Sequence, residues 1–158
     1  MNYYTVFTSE LGPITVQANS EGLLGIWFEQ HTTCPDELGE HNPSYPLLRQ
    51  AEIELKEYFA GERQAFTLPL AAIGTEFQRK VWQALCEIPY GEAISYQELA
   101  NRVGNPKAVR AVGTANGKNP LSIVVPCHRV VGKNGKLSGY AGGVERKLRL
   151  LNLESGNY

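Results

Sequence analysis

The residues best suited to chemistry are Cys127 and His128, in the run Pro126-Cys127-His128-Arg129. A thiol is a weak nucleophile until it ionises. Its free pKa is about 8.5, and a neighbouring base or cation raises the thiolate fraction. His128 is such a base by type. On an extended backbone, however, adjacent side chains point to opposite faces, so a bridging water, not direct contact, would join ring to sulfur. Glu154 could orient the imidazole as the third member of a relay. The plainer alternative is a cysteine simply buried after an apolar strand. Cys34 and Cys86 form no C-x-x-C pair with Cys127 or with each other. Neither a disulfide framework nor a structural zinc site is therefore expected. His31 and Cys34 could ligate a metal with His41 as a third ligand, but a polar loop is the preferred reading, and no metal is expected. Cys86 reads as core filler on a helix.

The elements that must position these residues are legible in outline. Residues 3–8, 13–19 and 23–29 are rich in Val, Ile, Thr, Tyr and Phe, and turn residues separate them, which predicts an antiparallel meander. Residues 30–46 read as an exposed loop, 46–60 as a helix and 62–74 as an irregular link. In the second half Thr75 can cap a helix over 76–88 whose Phe77, Val81, Leu85 and Ile88 form a buried stripe. Ser95, with Glu98 at the capping-box position, starts a helix over 96–103. Gly104-Asn105-Pro106 ends it, and Pro106 opens another that runs to about Ala115. Helix, short turn and helix at this spacing predict a helix-turn-helix. Residues 121–125 read as a short buried strand leading to Cys127. The stretch from Gly132 to Gly143 reads as loop and 144–154 as a closing helix. The fold class is α+β, with lobes at 1–74 and 75–158.

Charge is divided between these lobes. The whole chain carries −1, but residues 1–74 hold three bases against ten acids, and residues 75–158 hold twelve bases against six. A basic C-terminal lobe beside an acidic N-terminal one suits a protein whose second half meets a polyanion. The predicted second helix is unusual for a reader of base edges, which commonly presents long polar side chains. Here Ala108, Ala111, Gly113, Thr114 and Ala115 are small, and only Lys107 and Arg110 are long. Small residues allow close approach to a narrow minor groove; packing against a neighbouring helix is an equal alternative. No apolar run is long enough to span a bilayer, and Met1-Asn2-Tyr3-Tyr4 begins no signal peptide. A soluble cytoplasmic protein with no membrane partner is expected.

With these motifs assembled, the chain resembles the methylated-DNA–protein-cysteine methyltransferases, the O6-alkylguanine-DNA alkyltransferase family. Ile123-Val-Val-Pro-Cys-His-Arg-Val130 matches the family's active-site signature. Ser95-Tyr96-Gln97, Gly104-Asn105-Pro106, Arg110-Ala-Val-Gly113 and Asn119-Pro120 carry the likeness across residues 75–154. The resemblance implies a ribonuclease H-like N-terminal lobe and a winged helix-turn-helix in the C-terminal lobe. It implies direct-reversal DNA repair of double-stranded DNA, in which an alkyl group passes from O6-alkylguanine, with O4-alkylthymine as a second candidate, to Cys127. His128 and Glu154 would draw off the thiol proton through a water, and Asn119 would tie the recognition helix to the site. Arg110 would replace a flipped nucleotide, and Tyr96 would help rotate it out and protonate the departing base. Lys107, Ala108, Ala111, Gly113, Thr114 and Ala115 would face DNA. Val130, Tyr140, Ala141 and Gly142 would line the base pocket, with Ala141 standing where some relatives carry serine. The thioether product has no activated bond, and the chain carries no cofactor fingerprint or second thiol to regenerate it. One event per molecule, no cofactor and a monomer, either alone or cooperative on DNA, are therefore expected. Two rival readings are a DNA-binding module without transfer, which would lack Cys127, and a cysteine hydrolase, which would leave the helix-turn-helix unexplained.

Overall fold

The computed structural model describes residues 1–29, 33–137 and 140–156. His31 lies outside the described residues, and among them no group of His, Cys, Asp and Glu could hold a metal. The alternating pattern produces the meander it predicts: β1 (Tyr3–Ser9), β2 (Gly12–Asn19) and β3 (Gly22–Phe28) pair antiparallel. The region read as loop also contributes a two-residue strand, β4 (Glu40–His41), parallel to β1, so the sheet order is β3-β2-β1-β4. Glu40 N–H donates to Asn2 O and Asn42 N–H to Tyr4 O, both at 2.9 Å. So short a strand, held by backbone partners, leaves no periodicity to read.

Helix α1 (Pro46–Phe59) lies across β1 and β2, with Leu48, Ala51, Leu55 and Tyr58 facing the sheet. Glu54 is also buried there. Its carboxylate accepts from Thr67 N–H, Thr67 Oγ1 and Gln50 Nε2, which pins the link to the helix. The link then runs along the outer edge of β3: Leu23 N–H donates to Pro69 O and Ala71 N–H to Leu23 O. Further along the same edge, Ile26 N–H donates to Pro120 O and Ser122 N–H to Ile26 O. Thus the N-terminal sheet directly holds the segment that leads to Cys127. Apolar residues of both halves, among them Ile26, Leu85, Leu99, Val112, Leu121 and Leu150, form one continuous core.

Helix α2 (Glu76–Cys86) opens with a complete Thr75–Gln78 capping box. It stops two residues before the expected end. Val81, Leu85 and Ile88 are buried, but Phe77 is only half-buried and Cys86 is exposed, so Cys86 is not core filler. The buried face is carried by Val81, Trp82, Ala84 and Leu85, and one further step turns the chain outward. Helix α3 (Tyr96–Val103) is capped by the Ser95 hydroxyl, which accepts from Glu98 N–H, and ends at Gly104 in the left-handed region with φ 88°. Helix α4 (Val109–Gly117) begins three residues later than Pro106 suggested. Pro106 and Lys107 instead form a turn closed by Ala108 N–H on Asn105 O at 3.0 Å. The fixed φ of proline suits the first turn position as well as a helix start. A two-residue strand β5 (Ile94–Ser95) pairs in parallel with β6 (Val130–Val131), and α5 (Val144–Ser155) closes the chain. Among the described residues no helix is long and apolar enough to cross a membrane.

Candidate active site

Residues 121–125 do not form the expected strand. Only Leu121 bridges β3, and the chain then turns twice. Val124 N–H donates to Ser122 O at 2.8 Å around Ile123, whose φ is +72°, and Cys127 N–H donates to Val125 O at 2.8 Å around Pro126, at φ −81° and ψ 63°. These are two γ-turns, and the first holds a β-branched residue in a sparsely populated conformation. The side chain of Asn119 organises the bend. Its Oδ1 accepts from Leu121 N–H at 3.0 Å, and its Nδ2 donates to Val125 O at 2.9 Å and to Cys127 Sγ at 3.2 Å. Residues 127–129 form a single 3-10 turn, so His128 is not on extended backbone.

Cys127 is buried at 3% exposure, and burial pushes its pKa up to about 11 against the opposing pull of the Asn119 bond and the Lys147 charge. At neutral pH it is a thiol, so attack requires removal of its proton. His128 is fully buried, which holds its pKa below the ordinary histidine value despite the Glu154 carboxylate. Its Nε2 faces Glu154 Oε2 at 2.7 Å, while Nδ1 is buried with no protein partner among the described residues. A neutral ring that donates through Nε2 leaves the Nδ1 lone pair as a base.

Burial alone would raise the Glu154 pKa, but bonds and charge from His128 and Arg129 hold it down to about 2. Arg129 donates from Nε to Oε1 at 2.8 Å and from Nη2 to Oε2 at 3.0 Å, and its Nη1 donates to Ile88 O at 2.7 Å. The N-terminal lobe supplies one more donor: Tyr58 OH bonds Glu154 Oε2 at 2.6 Å.

Sequence reading assigned no role to Arg129, Tyr58 or Lys147. Lys147 is fully buried on α5, with Nζ 5.8 Å from the Tyr96 ring centroid and its charge close enough to favour a Cys127 thiolate. Burial lowers its own pKa to about 8. A signal for it existed. Lys147, Leu150, Leu151 and Glu154 recur at helical spacing and form the buried face of α5, whereas Leu148 and Leu153 are only half-buried.

The remaining candidates fall into two groups. On α4 and the turn before it, Lys107, Arg110, Ala111 and Thr114 are exposed, and Ala108 and Gly113 are half-buried. Lys107, Ala108, Arg110, Ala111, Thr114 and Ala115 line a groove of about 630 Å³ that Phe77 also borders. Ala115 is only 3% exposed, and its carbonyl accepts from Trp82 Nε1 at 2.9 Å, which ties the helix to α2. Gly113 lies beside the Tyr96 ring, where an added Cβ would sit 3.7 Å away. Val130, Tyr140 and Gly142 are buried, and Ala141 is half-buried. The Tyr140 pKa is raised well above the ordinary value, by burial first and then by the Cys127 charge.

This geometry has counterparts among known proteins. The family model described as 6-O-methylguanine DNA methyltransferase, DNA binding domain, matches residues 76–156, and the model for the ribonuclease-like domain of the same proteins matches residues 2–72. The methylated-DNA–protein-cysteine methyltransferase of Methanosarcina acetivorans is 50% identical over 155 residues, covering 96% of this chain and 97% of the relative. The constitutive enzyme of that name from Bacillus subtilis is 48% identical over 162 residues, covering 100% and 98%. Among solved structures, Mycobacterium tuberculosis OGT in complex with DNA superposes with a TM-score of 0.90 at 44% identity, covering 98% of this chain and 93% of that one. The chain belongs to the 6-O-methylguanine DNA methyltransferase family.

Proposed function

We propose that this protein repairs duplex DNA by moving the alkyl group of O6-alkylguanine onto Cys127, once per molecule. The observation that carries the proposal is the buried Cys127–His128–Glu154 arrangement lying beside a helix-turn-helix. The proton of the thiol passes through a water to His128 Nδ1, and Glu154 stabilises the resulting imidazolium. The sulfur then attacks the alkyl carbon. A carbon–sulfur bond forms, the carbon–O6 bond breaks, and the electron pair stays on guanine, which takes up a proton. Asn119 Nδ2 and the Lys147 charge favour the sulfur anion as it develops.

An O6 substituent inside the stack is out of reach of a buried sulfur, so the base must leave the helix. Ala108, Ala111, Gly113 and Thr114 allow close approach to the minor groove, Lys107 meets phosphate, Arg110 fills the gap and Tyr96 steers the nucleotide inward. The base then rests against Val130, Tyr140, Ala141 and Gly142. The two lobes divide at residues 74 and 75, and the protein acts in the cytoplasm.

Intact-mass measurement after incubation with excess O6-methylguanine duplex tests the proposal. One added methyl per chain, located on Cys127, is expected; methyl groups removed in excess of protein would refute single use. Arg110→Ala should still bind duplex, yet transfer about 10-fold or more slowly, because the unstacking cost of a few kcal/mol loses its compensation. Its rate with free O6-alkylguanine should match the parent. An equal loss on both substrates would remove the finger role.

A further inference from the structure

The wall of the base pocket is braced by residues outside the pocket. Gly142 has no room for a side chain: a Cβ there would lie 2.6 Å from Phe28 Cδ2 and 2.9 Å from Tyr140 Cε2. Phe28, at the end of β3, is 2% exposed and packs on Tyr140 with ring centroids 6.3 Å apart. Arg146, at the start of α5, lies over the Phe28 ring, with its guanidinium carbon 5.2 Å from the centroid. The same guanidinium donates from Nη1 to Gly142 O at 3.1 Å and from Nε to Leu11 O at 3.0 Å. One cation therefore ties the wall to the β1–β2 turn, and one aromatic ring blocks its retreat. Both the turn and the ring belong to the N-terminal lobe.

We infer that Phe28 and Arg146 are specificity-determining positioning residues, which fix the Tyr140–Gly142 wall and so limit the size of the alkyl group that Cys127 accepts. The inference rests on the proposed transfer reaction. A methyl group needs little room between wall and sulfur, whereas a benzyl group needs the wall to move back. Packed interiors resist such movement, and a single removed contact admits it at modest cost. The N-terminal lobe, which contributes none of the residues expected to react or to touch DNA, would then decide substrate range.

The test compares transfer from free O6-methylguanine and free O6-benzylguanine, read as mass added at Cys127, for the parent, Phe28→Leu and Arg146→Leu. Each variant should raise the benzyl-to-methyl rate ratio by about 10-fold, the effect of roughly one relieved packing contact on a competing pair. Phe28→Leu removes the ring, and Arg146→Leu removes the tie. Arg146 is half-buried, so its variant should fold even if the core change at Phe28 does not. An unchanged ratio in a folded Arg146→Leu protein, or equal loss of both rates, would overturn the inference. If the parent transferred neither group to Cys127, the transfer reaction itself would fall, and the inference with it.

Discussion

Cys127→Ser should bind alkylated duplex as the parent does and transfer nothing measurable, a loss of about 10⁴-fold or more. The binding half follows from burial: Cys127 is 3% exposed and offers DNA almost no contact surface. The transfer half follows from acidity. Burial already places the thiol at about 11, so His128 must help it even in the parent. A hydroxyl starts several units higher and sits in the same dry site, so the relay cannot ionise it at the moment of attack. Serine can still accept the Asn119 Nδ2 bond, so stability should change by less than about 1 kcal/mol. Gel-shift titration with O6-methylguanine duplex, together with intact mass, checks both halves. Methyl found on the serine protein would mean that another residue accepts the group.

Glu154→Gln should cost both stability and rate. Oε2 accepts from Tyr58 OH, His128 Nε2 and Arg129 Nη2, and Oε1 accepts from Arg129 Nε. An amide turns one of these acceptors into a donor and leaves the buried Arg129 guanidinium without its counter-charge. Breaking a buried pair in this way costs about 3–5 kcal/mol, which urea unfolding at pH 7 would read. The same carboxylate makes stability pH-dependent. Its folded pKa is depressed from 4.5 to about 2, so its contribution is complete above pH 4.5 and is lost as pH falls through about 2. That contribution is on the order of 3 kcal/mol, and Glu154→Gln should flatten this acid limb of the stability profile. His128 would also lose the acceptor that fixes its Nε2–H, so transfer by the remaining folded protein should slow by about 100-fold. An acid limb as steep as the parent's would place the stabilising charge elsewhere.

Much of the fold was legible because it rests on local pattern. The alternation in residues 3–28, the stripe of α1, and the Thr75 and Ser95 caps each appear where side-chain period and capping chemistry require them. The errors fall where tertiary partners override local preference. Ile123-Val124-Val125 reads as strand from its β-branched residues. Asn119 and the edge of β3 supply hydrogen bonds that outweigh that preference, and the chain bends through two γ-turns.

The sequence by itself determined the reactive groups and the order of the elements that carry them. Cys127, His128, Glu154 and a helix pair between Ser95 and about Ala115 follow from residue type and spacing, and charge divides the chain at its middle. Only the tertiary structure decided how the reactive groups are set. The bend at Ile123 points the sulfur at Asn119, and the 3-10 turn aims His128 at a carboxylate on α5. Arg129 and, from the other lobe, Tyr58 fix that carboxylate as an anion, while Phe28 and Arg146 hold Gly142 in place. The physical reason is range: propensity and capping act over a few residues, whereas burial, ion pairing and steric bracing depend on groups brought together from across the chain, as Tyr58 and Glu154 are.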